Sequence, residues 1–417
     1  MTSHDPFRQT ELTTAQDIIR DALTFGINPS LEKMQRLCAL LGHPERQFVS
    51  VQVAGTNGKS STSRYLAAIL RAFGHSTGLY TSPELLNVTE RVEIEGTPVD
   101  DEAFSHAVLL VHETATENAL ELTEFELITA AAFVLFAERE VACAVLEVGL
   151  GGRWDATSVV HPKVAVLTGV DLDHTAILGT TLEQIADEKA AIIKEGTVVV
   201  AAPTHEAALQ IFKARAAQER AHFIAVPAAQ EQELRSYQAQ NKLTALASAR
   251  ELLGDGADFD EARALAAMDA TEIPGRLETV YTDPMILIDA AHNPASARVL
   301  AQALDPLPEG ATLLLAILAD KDAAGIIRAL APDFTRIAVT QTTSPRAMPA
   351  RELAALVQEI TGESILVFEN PELALIELLK RGQGPIVATG SITLAGAVKG
   401  FLIELSQHNQ HGNQKED

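Results

Sequence analysis

The feature that most constrains the fold is the stretch of residues 48–62, which reads FVSVQVAGTNGKSST. Its first half is an apolar run with β-branched residues, which predicts a buried parallel strand, and apolar residues at helical spacing follow it. The turn between strand and helix contains Gly55 and Gly58, so backbone N–H groups can approach a phosphate beside the charge of Lys59 and the helix N-terminus. Val53 occupies the place of the first glycine in the G-x-x-x-x-G-K-[ST] pattern. The stretch still predicts a phosphate-binding turn, because a plain surface turn does not explain the lysine and hydroxyl residues that follow.

Composition limits the classes of protein to which the chain can belong. A length of 417 residues exceeds one ordinary hydrophobic core, which predicts two or three domains. The 32 Lys and Arg residues against 56 Asp and Glu residues give a net charge of −24, which argues against general affinity for nucleic acid or anionic membranes. Cys38 and Cys143 are too few for a disulfide framework, and the N-terminus lacks a signal-peptide pattern. We therefore expect a cytoplasmic protein without nucleic-acid or membrane partners.

Predicted strands and helices alternate along the chain, which is the pattern of an α/β fold. The N-terminal domain is predicted to comprise residues 1–272 and to contain the phosphate turn, since residues 271–276 break the pattern. A smaller, doubly wound C-terminal domain is predicted over residues 273–406, and the polar tail 407–417 is predicted to be disordered. Residues 231–268 are predicted to be helical. Further strands are predicted at 76–81, 87–98, 141–148, 164–170, 198–201, 223–226, 285–290, 312–317, 336–341, 365–369 and 385–389.

Ser82, Glu147 and His174 each lie at or just after the end of a predicted strand, at the sheet edge where α/β proteins bind ligands. A buried carboxylate needs a partner, and Mg²⁺ beside bound phosphates is one, since this ion takes few protein ligands and shares phosphate oxygens. Each residue also has a simpler interpretation. Glu147 suits a structural hydrogen-bond acceptor, His174 a strand-end residue with satisfied hydrogen bonds, and Ser82 a turn residue before a proline. Their joint occurrence beside a phosphate turn favours the metal site.

Four further features are weaker candidates. The glycine turn at 149–152 follows a strand, as many glycine turns do, and Lys189 in the middle of a predicted helix also fits a solvated face. Asp289 and His292 follow a strand of the second domain and precede a helix, where a helix cap with incidental neighbours is the alternative. Arg276 could reach a nucleotide or only solvent.

An ordered series of motifs extends over nearly the whole chain. They are LEKM at 31–34, VAGTNGK at 53–59, LYTSP at 79–83, ER at 90–91, LEVGLGGR at 146–153 with DAT at 155–157, DHT at 173–175, EKA at 188–190, PGR at 274–276, DAAHNP at 289–294 and KD at 321–322. In this order they resemble the folylpolyglutamate synthase/dihydrofolate synthase family, a branch of the Mur-ligase-type ATP-dependent amide ligases. The resemblance implies an N-terminal P-loop-containing Mur-ligase-type ATPase domain and a smaller C-terminal Rossmann-like glutamate ligase domain.

The resemblance also implies roles for individual residues. Catalytic roles are implied for Lys59, His174 and Lys189, the last matching a lysine that the family carries as a carbamate. Metal binding is implied for Ser82, Glu147, His174 and the carbamate of Lys189. ATP binding is implied for Gly55, Thr56, Asn57, Gly58, Lys59, Ser60, Ser61, Asn241, Arg276, Asp289 and His292. The pterin end of a folate substrate is implied to lie at Thr123, Phe125, Glu126 and Asp155.

Two positions depart from the family pattern. Ser60 follows the P-loop lysine where the family usually has glycine, which leaves open whether Ser60 or Ser61 meets the phosphate or its ion. Ala290 stands where glycine is usual, which reduces backbone freedom but removes no functional group.

The implied reaction is activation of a carboxylate by ATP, followed by attack of the amine of L-glutamate on the acyl phosphate. The implied substrates are dihydropteroate and reduced folates, with ATP as co-substrate, Mg²⁺ as cofactor, K⁺ as a further candidate ion and a monomeric protein. Two alternatives share the mechanism: an enzyme with folylpolyglutamate synthase activity alone, and a peptidoglycan-precursor ligase, against which the pterin-side matches argue. Alternatives from other classes are a P-loop NTPase or kinase and a nucleotide-binding protein without activity.

Overall fold

The computed structural model describes residues 6–23, 30–230, 238–254, 259–304, 310–382 and 384–413. The chain divides into two compact units, with the main boundary between Thr271 and Glu272. The described helices of the first unit are α1 (Pro6–Ala22), α2 (Glu32–Leu40), α3 (Lys59–Ala72), α4 (Asp101–Glu117), α5 (Glu124–Glu138), α6 (Thr175–Leu178), α7 (Leu182–Ala190), α8 (Glu206–Gln218), α9 (Ala239–Leu253) and α10 (Glu261–Asp269). Those of the second unit are α11 (Pro294–Ala303), α12 (Ala323–Leu330), α13 (Ala350–Thr361), α14 (Pro371–Lys380) and α15 (Ile392–Asn413).

The first unit is built on one mixed sheet. Its described strands are β1 (Val49–Ala54), β2 (Thr77–Tyr80), β3 (Val92–Ile94), β4 (Thr97–Pro98), β5 (Cys143–Glu147), β6 (Val164–Leu167), β7 (Val198–Ala201) and β8 (His222–Ala225). They pair in the order β4-β3-β2-β5-β1-β6-β7-β8, and from β2 to β8 all neighbours are parallel. The antiparallel strands β3 and β4 extend the β2 edge. The carboxyl ends of six parallel strands therefore lie at one edge of the sheet.

Burial on both faces explains why strands β5, β6 and β7 are almost entirely apolar. One core cluster joins residues of β2 and β5 to α4 and α5, and another joins residues of β6 and β7 to α7 and α8. Helix α5 is itself buried from Leu127 to Phe136, in keeping with its apolar sequence. Parallel strands covered by helices on both faces require this composition, because neither face meets water.

Register brings the predicted site strands side by side. Val53 pairs with Glu147 of β5, and Ala54 pairs with Leu167 of β6. The glycine turn that follows β1 consequently lies between the ends of β5 and β6. This placement is the usual ligand position of an open α/β sheet.

The second unit has its own sheet and core. Its described strands are β9 (Glu278–Thr282), β10 (Met285–Ile288), β11 (Thr312–Leu315), β12 (Arg336–Val339), β13 (Leu366–Val367) and β14 (Ile386–Thr389), in the order β13-β12-β11-β14-β10-β9. All pairs are parallel except β9 with β10. A core cluster joins β10, β11, β12 and β14 to α11, α12 and α13, as expected for a small doubly wound domain.

Three details differ from the sequence prediction. Strand β9 was not predicted, because it is an edge strand with mostly exposed residues and has no buried apolar run. The helical stretch predicted over 231–268 contains two described helices, since α9 ends at Gly254, whose φ of 97° suits only glycine well; residues 231–237 and 255–258 lie outside the described part. Helix α15 continues to Asn413 instead of giving way to a disordered tail at 407, because an existing helix adds one backbone bond for each further residue; residues 414–417 are not described.

Both cysteines, Cys38 and Cys143, are free thiols in buried positions, as the composition predicts. Across the described ranges, none of the helices combines the length and the apolar character that crossing a lipid bilayer requires.

Candidate active site

The phosphate turn lies between β1 and α3 and depends on two glycines. A Cβ atom at Gly55 would lie 1.9 Å from Thr168 Oγ1, so only glycine permits this approach to the end of β6. Gly58 is the N-cap of α3 with a φ of 83°, in the left-handed region. A Cβ atom at Gly58 would lie 2.3 Å from Oδ1 of Asn241, which places Asn241 directly against the turn.

Hydrogen bonds from the segment after β6 hold the turn in place. The Thr56 N–H donates to the carbonyl of Gly169 at 2.8 Å, and Thr168 Oγ1 donates to the carbonyl of Asn57 at 2.7 Å. The Thr56 hydroxyl also accepts from the backbone N–H of Asp171 at 3.0 Å. The segment after β6, which is close to the turn in space but distant in sequence, therefore holds the backbone of the turn in its conformation.

Two lysines converge on the same turn. Lys59 Nζ donates to the carbonyl of Thr56 at 3.3 Å, and Lys189 Nζ donates to the carbonyl of Gly55 at 2.8 Å. Lys189 is only 4 % exposed. Burial, together with the charge of Lys59, lowers the pKa of Lys189 to about 7, although the carboxylate of Asp173 opposes this shift. The mid-helix lysine is therefore not on a solvated face.

The carboxylate of Glu147 links β5 to two of the predicted serines. Its Oε1 accepts from the Ser60 hydroxyl at 2.9 Å, and its Oε2 accepts from the backbone N–H of Ser82 at 3.2 Å. Glu147 is 1 % exposed, and Ser61 is also buried. Ser60 is the serine of this helical turn whose hydroxyl donates to the carboxylate. A carboxylate flanked by serines at the start of a phosphate-binding helix is an oxygen donor set that fits Mg²⁺.

His174 is the N-cap of α6 and has a left-handed φ of 50°. Its backbone N–H donates to Asp173 Oδ1 at 2.8 Å, and its Nε2 lies 3.9 Å from the same oxygen. Asp173 is buried beside the histidine. Within the described residues, no three His, Cys, Asp or Glu side chains alone form a cluster able to hold a metal ion. A metal here would depend also on serine, phosphate or water oxygens.

Asp155 closes the glycine turn after β5. Its Oδ2 accepts from the backbone N–H groups of Gly149 and Leu150 at 2.9 and 3.0 Å, and its Oδ1 accepts from the N–H and hydroxyl of Thr157 at 3.0 and 2.5 Å. Burial raises the pKa of Asp155, and these hydrogen bonds oppose the shift. Arg153 in the same turn donates to Glu188 Oε1 at 2.9 Å and so ties the turn to α7.

The remaining predicted substrate residues occupy the first turn of α5. A Cβ atom at Gly149 would lie 2.6 Å from the Phe125 ring, so Phe125 and Asp155 meet at this glycine. Thr123 is the N-cap of α5 and forms a capping box with Glu126. Of the four predicted folate residues, Thr123 and Glu126 therefore contact each other, and Phe125 and Asp155 both contact Gly149, which follows β5.

The segment that starts at Ser82 is anchored to α5 by Arg91, a residue to which the sequence assigns no role. Arg91 Nε donates to Glu84 Oε2 at 2.5 Å, and its Nη1 lies 2.8 Å from Glu124 Oε1. Glu90 accepts from three backbone N–H groups of the same segment at 2.9–3.2 Å. Thr168, which donates to the phosphate turn, is a second residue to which the sequence assigns no role. Its position near the end of a buried strand could have indicated that it lies at the site.

An open cavity of about 480 Å³ adjoins the phosphate turn. It is lined by Thr56, Asn57, Thr168, Gly169, Val170, Asp171, Pro203, Thr204 and His205. The cavity lies at the ends of β6 and β7, and it offers room for a part of a ligand beyond its phosphates.

The nucleotide residues predicted in the second unit form a compact group of their own. Asp289 is 1 % exposed; its two oxygens accept from the backbone N–H groups of Leu277 and Ala291, both at 2.8 Å. Arg276 Nη1 donates to the carbonyl of Gly275 at 3.0 Å. His292 Nδ1 lies 2.9 Å from the carbonyl oxygen of Ala290. Asp289 thus fixes the backbone on both sides of the group, which brings the Arg276 segment next to the end of β10.

Comparison with known proteins places these features in a family. Residues 53–253 match the Mur ligase middle domain, and residues 275–391 match the glutamate ligase domain of Mur ligases. The dihydrofolate synthase/folylpolyglutamate synthase of Mycobacterium tuberculosis is 34% identical, over 89% of this chain and 90% of the relative. The protein of the same name from Bacillus subtilis is 32% identical, over 91% of this chain and 96% of the relative.

Solved structures agree with the sequence relatives. Folylpolyglutamate synthase of Mycobacterium tuberculosis complexed with ADP has a TM-score of 0.87 and 32% identity, covering 95% of this chain and 99% of the other. Escherichia coli FolC in complex with DHPP and ADP has a TM-score of 0.83 and 26% identity, covering 96% and 98%. The bifunctional Yersinia pestis enzyme complexed with AMPPNP and Mn ion has a TM-score of 0.81 and 28% identity, covering 94% and 98%. The predicted Mur-ligase-type α/β fold is confirmed, and this chain belongs to the dihydrofolate synthase/folylpolyglutamate synthase family of the Mur ligases.

Proposed function

We propose that the protein is an ATP-dependent ligase that adds L-glutamate to dihydropteroate and to reduced folates. The observation that carries this proposal is the position of Glu147, whose two carboxylate oxygens accept from Ser60 of the phosphate turn and from Ser82 of the next strand end. The turn proposed to bind phosphate and the carboxylate proposed to bind a divalent ion are therefore in direct contact. The names of the relatives supply the glutamate and folate part of the proposal.

The phosphate turn binds the β- and γ-phosphates of ATP through the backbone N–H groups of residues 55–60 and the ammonium group of Lys59. Ser82, Glu147, His174 and the Lys189 carbamate are the residues that would hold Mg²⁺, whose charge stabilises the transferring phosphoryl group when it is bound. The complex of a relative with Mn supports a divalent ion at such a site, and K⁺ remains a candidate second ion.

Lys189 suits the carbamate because its amine is buried and loses its proton near neutral pH. A neutral amine attacks CO₂, forms a new N–C bond and releases a proton, which converts the side chain to an anion. Compared with the protonated lysine, the carbamate replaces a buried positive charge beside Lys59 by a negative one, which favours binding of a cation.

The reaction proceeds in two steps. A carboxylate oxygen of the acid substrate attacks the γ-phosphorus, the bond to the bridging oxygen of ADP breaks, and an acyl phosphate forms. The amine of L-glutamate then attacks the acyl carbon, phosphate leaves, and a proton is lost from the nitrogen. Positioning and charge stabilisation are the work of the protein, and no side-chain nucleophile is required.

We assign the substrates to two groups of residues. Thr123, Phe125, Glu126 and Asp155 are assigned to the pterin end of the acid substrate. Asn241, Arg276, Asp289 and His292 are assigned to ATP. We further propose that the protein acts as a cytoplasmic monomer on these small molecules alone, since its net charge of −24 disfavours polyanionic partners.

The deciding experiment measures ADP formation with dihydropteroate and L-glutamate supplied together and singly, followed by mass spectrometry of the products. The proposal expects ADP only when both are present and a product heavier by one glutamyl residue; tetrahydrofolate then tests the second activity. A P-loop NTPase or kinase would form ADP without glutamate. Product from dihydropteroate but not from tetrahydrofolate, or the reverse, would reduce the proposal to a single activity.

A further inference from the structure

Lys33, in the first turn of α2, has no part in the function proposed above. Its Nζ lies 2.7 Å from Glu126 Oε2 and donates to the backbone carbonyl of Glu121 at 2.6 Å. The Lys33 side chain is 19% exposed and the Glu126 side chain 10%. Two charges this far removed from water interact more strongly than a surface ion pair. The Lys33–Glu126 ion pair is therefore stronger than an exposed one.

The two oxygens of Glu126 differ in their surroundings. Oε2 accepts from the Thr123 N–H at 2.8 Å and the Thr123 hydroxyl at 2.9 Å, in addition to Lys33. Among the described residues, Oε1 has no hydrogen-bond donor, and it is not sealed from solvent. The protein thus saturates one oxygen and leaves the other to accept from a ligand.

Phe125 supplies an aromatic ring from the same helical turn. It precedes Glu126 in the first turn of α5, and its ring lies over Gly149. A carboxylate oxygen and an aromatic ring on one helical turn suit a flat heterocycle that carries adjacent N–H donors, because such a ligand can stack on the ring and donate to the oxygen.

We propose that Lys33 is a positioning residue that selects the acid substrate through Glu126. By holding Oε2, its ammonium group fixes the rotation of the carboxylate, so that Oε1 is presented to an amino-substituted heterocycle such as a pterin ring. This inference rests on the proposed function, since it assigns the acid-substrate site to the first turn of α5.

Lys33→Met tests the proposal because it keeps most of the aliphatic length and removes the charged donor. We expect the KM for dihydropteroate to rise about tenfold, with the KM for ATP within about twofold of wild type, since one charge-assisted hydrogen bond is lost on the acid side only. Lys33→Arg retains the charge and restores most of the affinity. Lys380→Met removes the exposed Lys380–Glu377 ion pair and serves as the matched control without effect on either KM.

A double variant separates positioning from folding. In a Glu126→Gln background, Lys33→Met should raise the KM for dihydropteroate no further. Equal increases in both KM values, or an increase that persists in that background, would show that Lys33 merely supports the fold and would overturn the proposal. If Lys33→Met does not fold, Lys33→Gln, which keeps a neutral donor, takes its place with the same two readouts. Wild-type protein that ligates no glutamate at all refutes the proposed function; a wild-type KM in a ligating Lys33→Met variant refutes only this inference.

Discussion

Replacing Gly58 by alanine tests how the phosphate turn is built. Gly58 caps α3 with a φ of 83°, and a Cβ atom there would lie 2.3 Å from Asn241 Oδ1. Alanine therefore meets two separate obstacles. The backbone is held in the left-handed region, and the side chain of Asn241, a proposed ATP contact, has to rotate away.

The magnitudes follow from these two effects. A left-handed conformation costs an L-residue about 1–2 kcal/mol. Rotation of Asn241 breaks its hydrogen bond to Gln238 Oε1, at 2.7 Å, and such a bond contributes about 0.5–1.5 kcal/mol. The free energy of unfolding should fall by about 1.5–3.5 kcal/mol, which lowers the Tm by roughly 3–14 °C for a domain of this size. Loss of the Asn241 contact should weaken ATP binding by about three- to tenfold.

Gly74 supplies the matched control, because it follows the other end of the same helix. Its φ is 87°, yet a Cβ atom there would meet nothing within 4 Å. Gly74→Ala should lower the Tm through the backbone effect alone and leave nucleotide affinity unchanged. Thermal unfolding and titration with ADP measure both quantities for both variants, and Asn241→Ala should reproduce the loss of affinity without the backbone strain.

The result that would refute the reasoning is wild-type ADP affinity in Gly58→Ala. An equal loss of affinity in Gly74→Ala would also refute it, since the effect would then come from α3 as a whole. Full stability of Gly58→Ala would show that the turn relaxes into another conformation.

Three further predictions concern the lysines and the thiols. Lys59→Ala should abolish measurable turnover, because the γ-phosphate loses its charged partner; wild-type rates of ADP formation would exclude that role. Lys189→Ala should also lose activity and regain part of it on addition of short carboxylates that replace the carbamate, whereas full activity without them would rule the carbamate out. Burial raises the pKa of Cys143 to about 12 and that of Cys38 further still. Neither thiol should react with a thiol reagent at pH 8 in the native protein, and both should react in denaturant; rapid labelling of the native protein would contradict their burial.

The central strands could be predicted closely because each is an apolar run with helices on both sides. Strands β1, β5, β6 and β7 lie within or at the predicted segments. Strand β9 escaped prediction because its exposed edge position leaves no such run. The break between α9 and α10 was missed for a related reason, since alanine-rich helical segments lie on both sides of Gly254.

The site was predictable to the extent that its residues lie at strand ends. Glu147 and the phosphate turn meet because β5 and β1 are parallel neighbours in register. That Ser60, and not Ser61, donates to Glu147 was not predictable, because both are hydroxyl residues in the same helical turn and only their orientation differs. Lys189 looked like a solvated helix residue, and only the packing of α7 against the turn shows that it is buried.

By itself, the sequence determined the local chemistry of this protein: a strand, a glycine turn and a lysine at the start of a helix, with carboxylates at later strand ends. These depend on residue type and short spacing, which act within a few residues along the chain. Tertiary structure alone decided that Lys33 meets Glu126, that Thr168 shapes the phosphate turn and that burial lowers the pKa of Lys189. Strand order and helix packing bring together groups far apart in sequence, and the exclusion of water among them sets their charges.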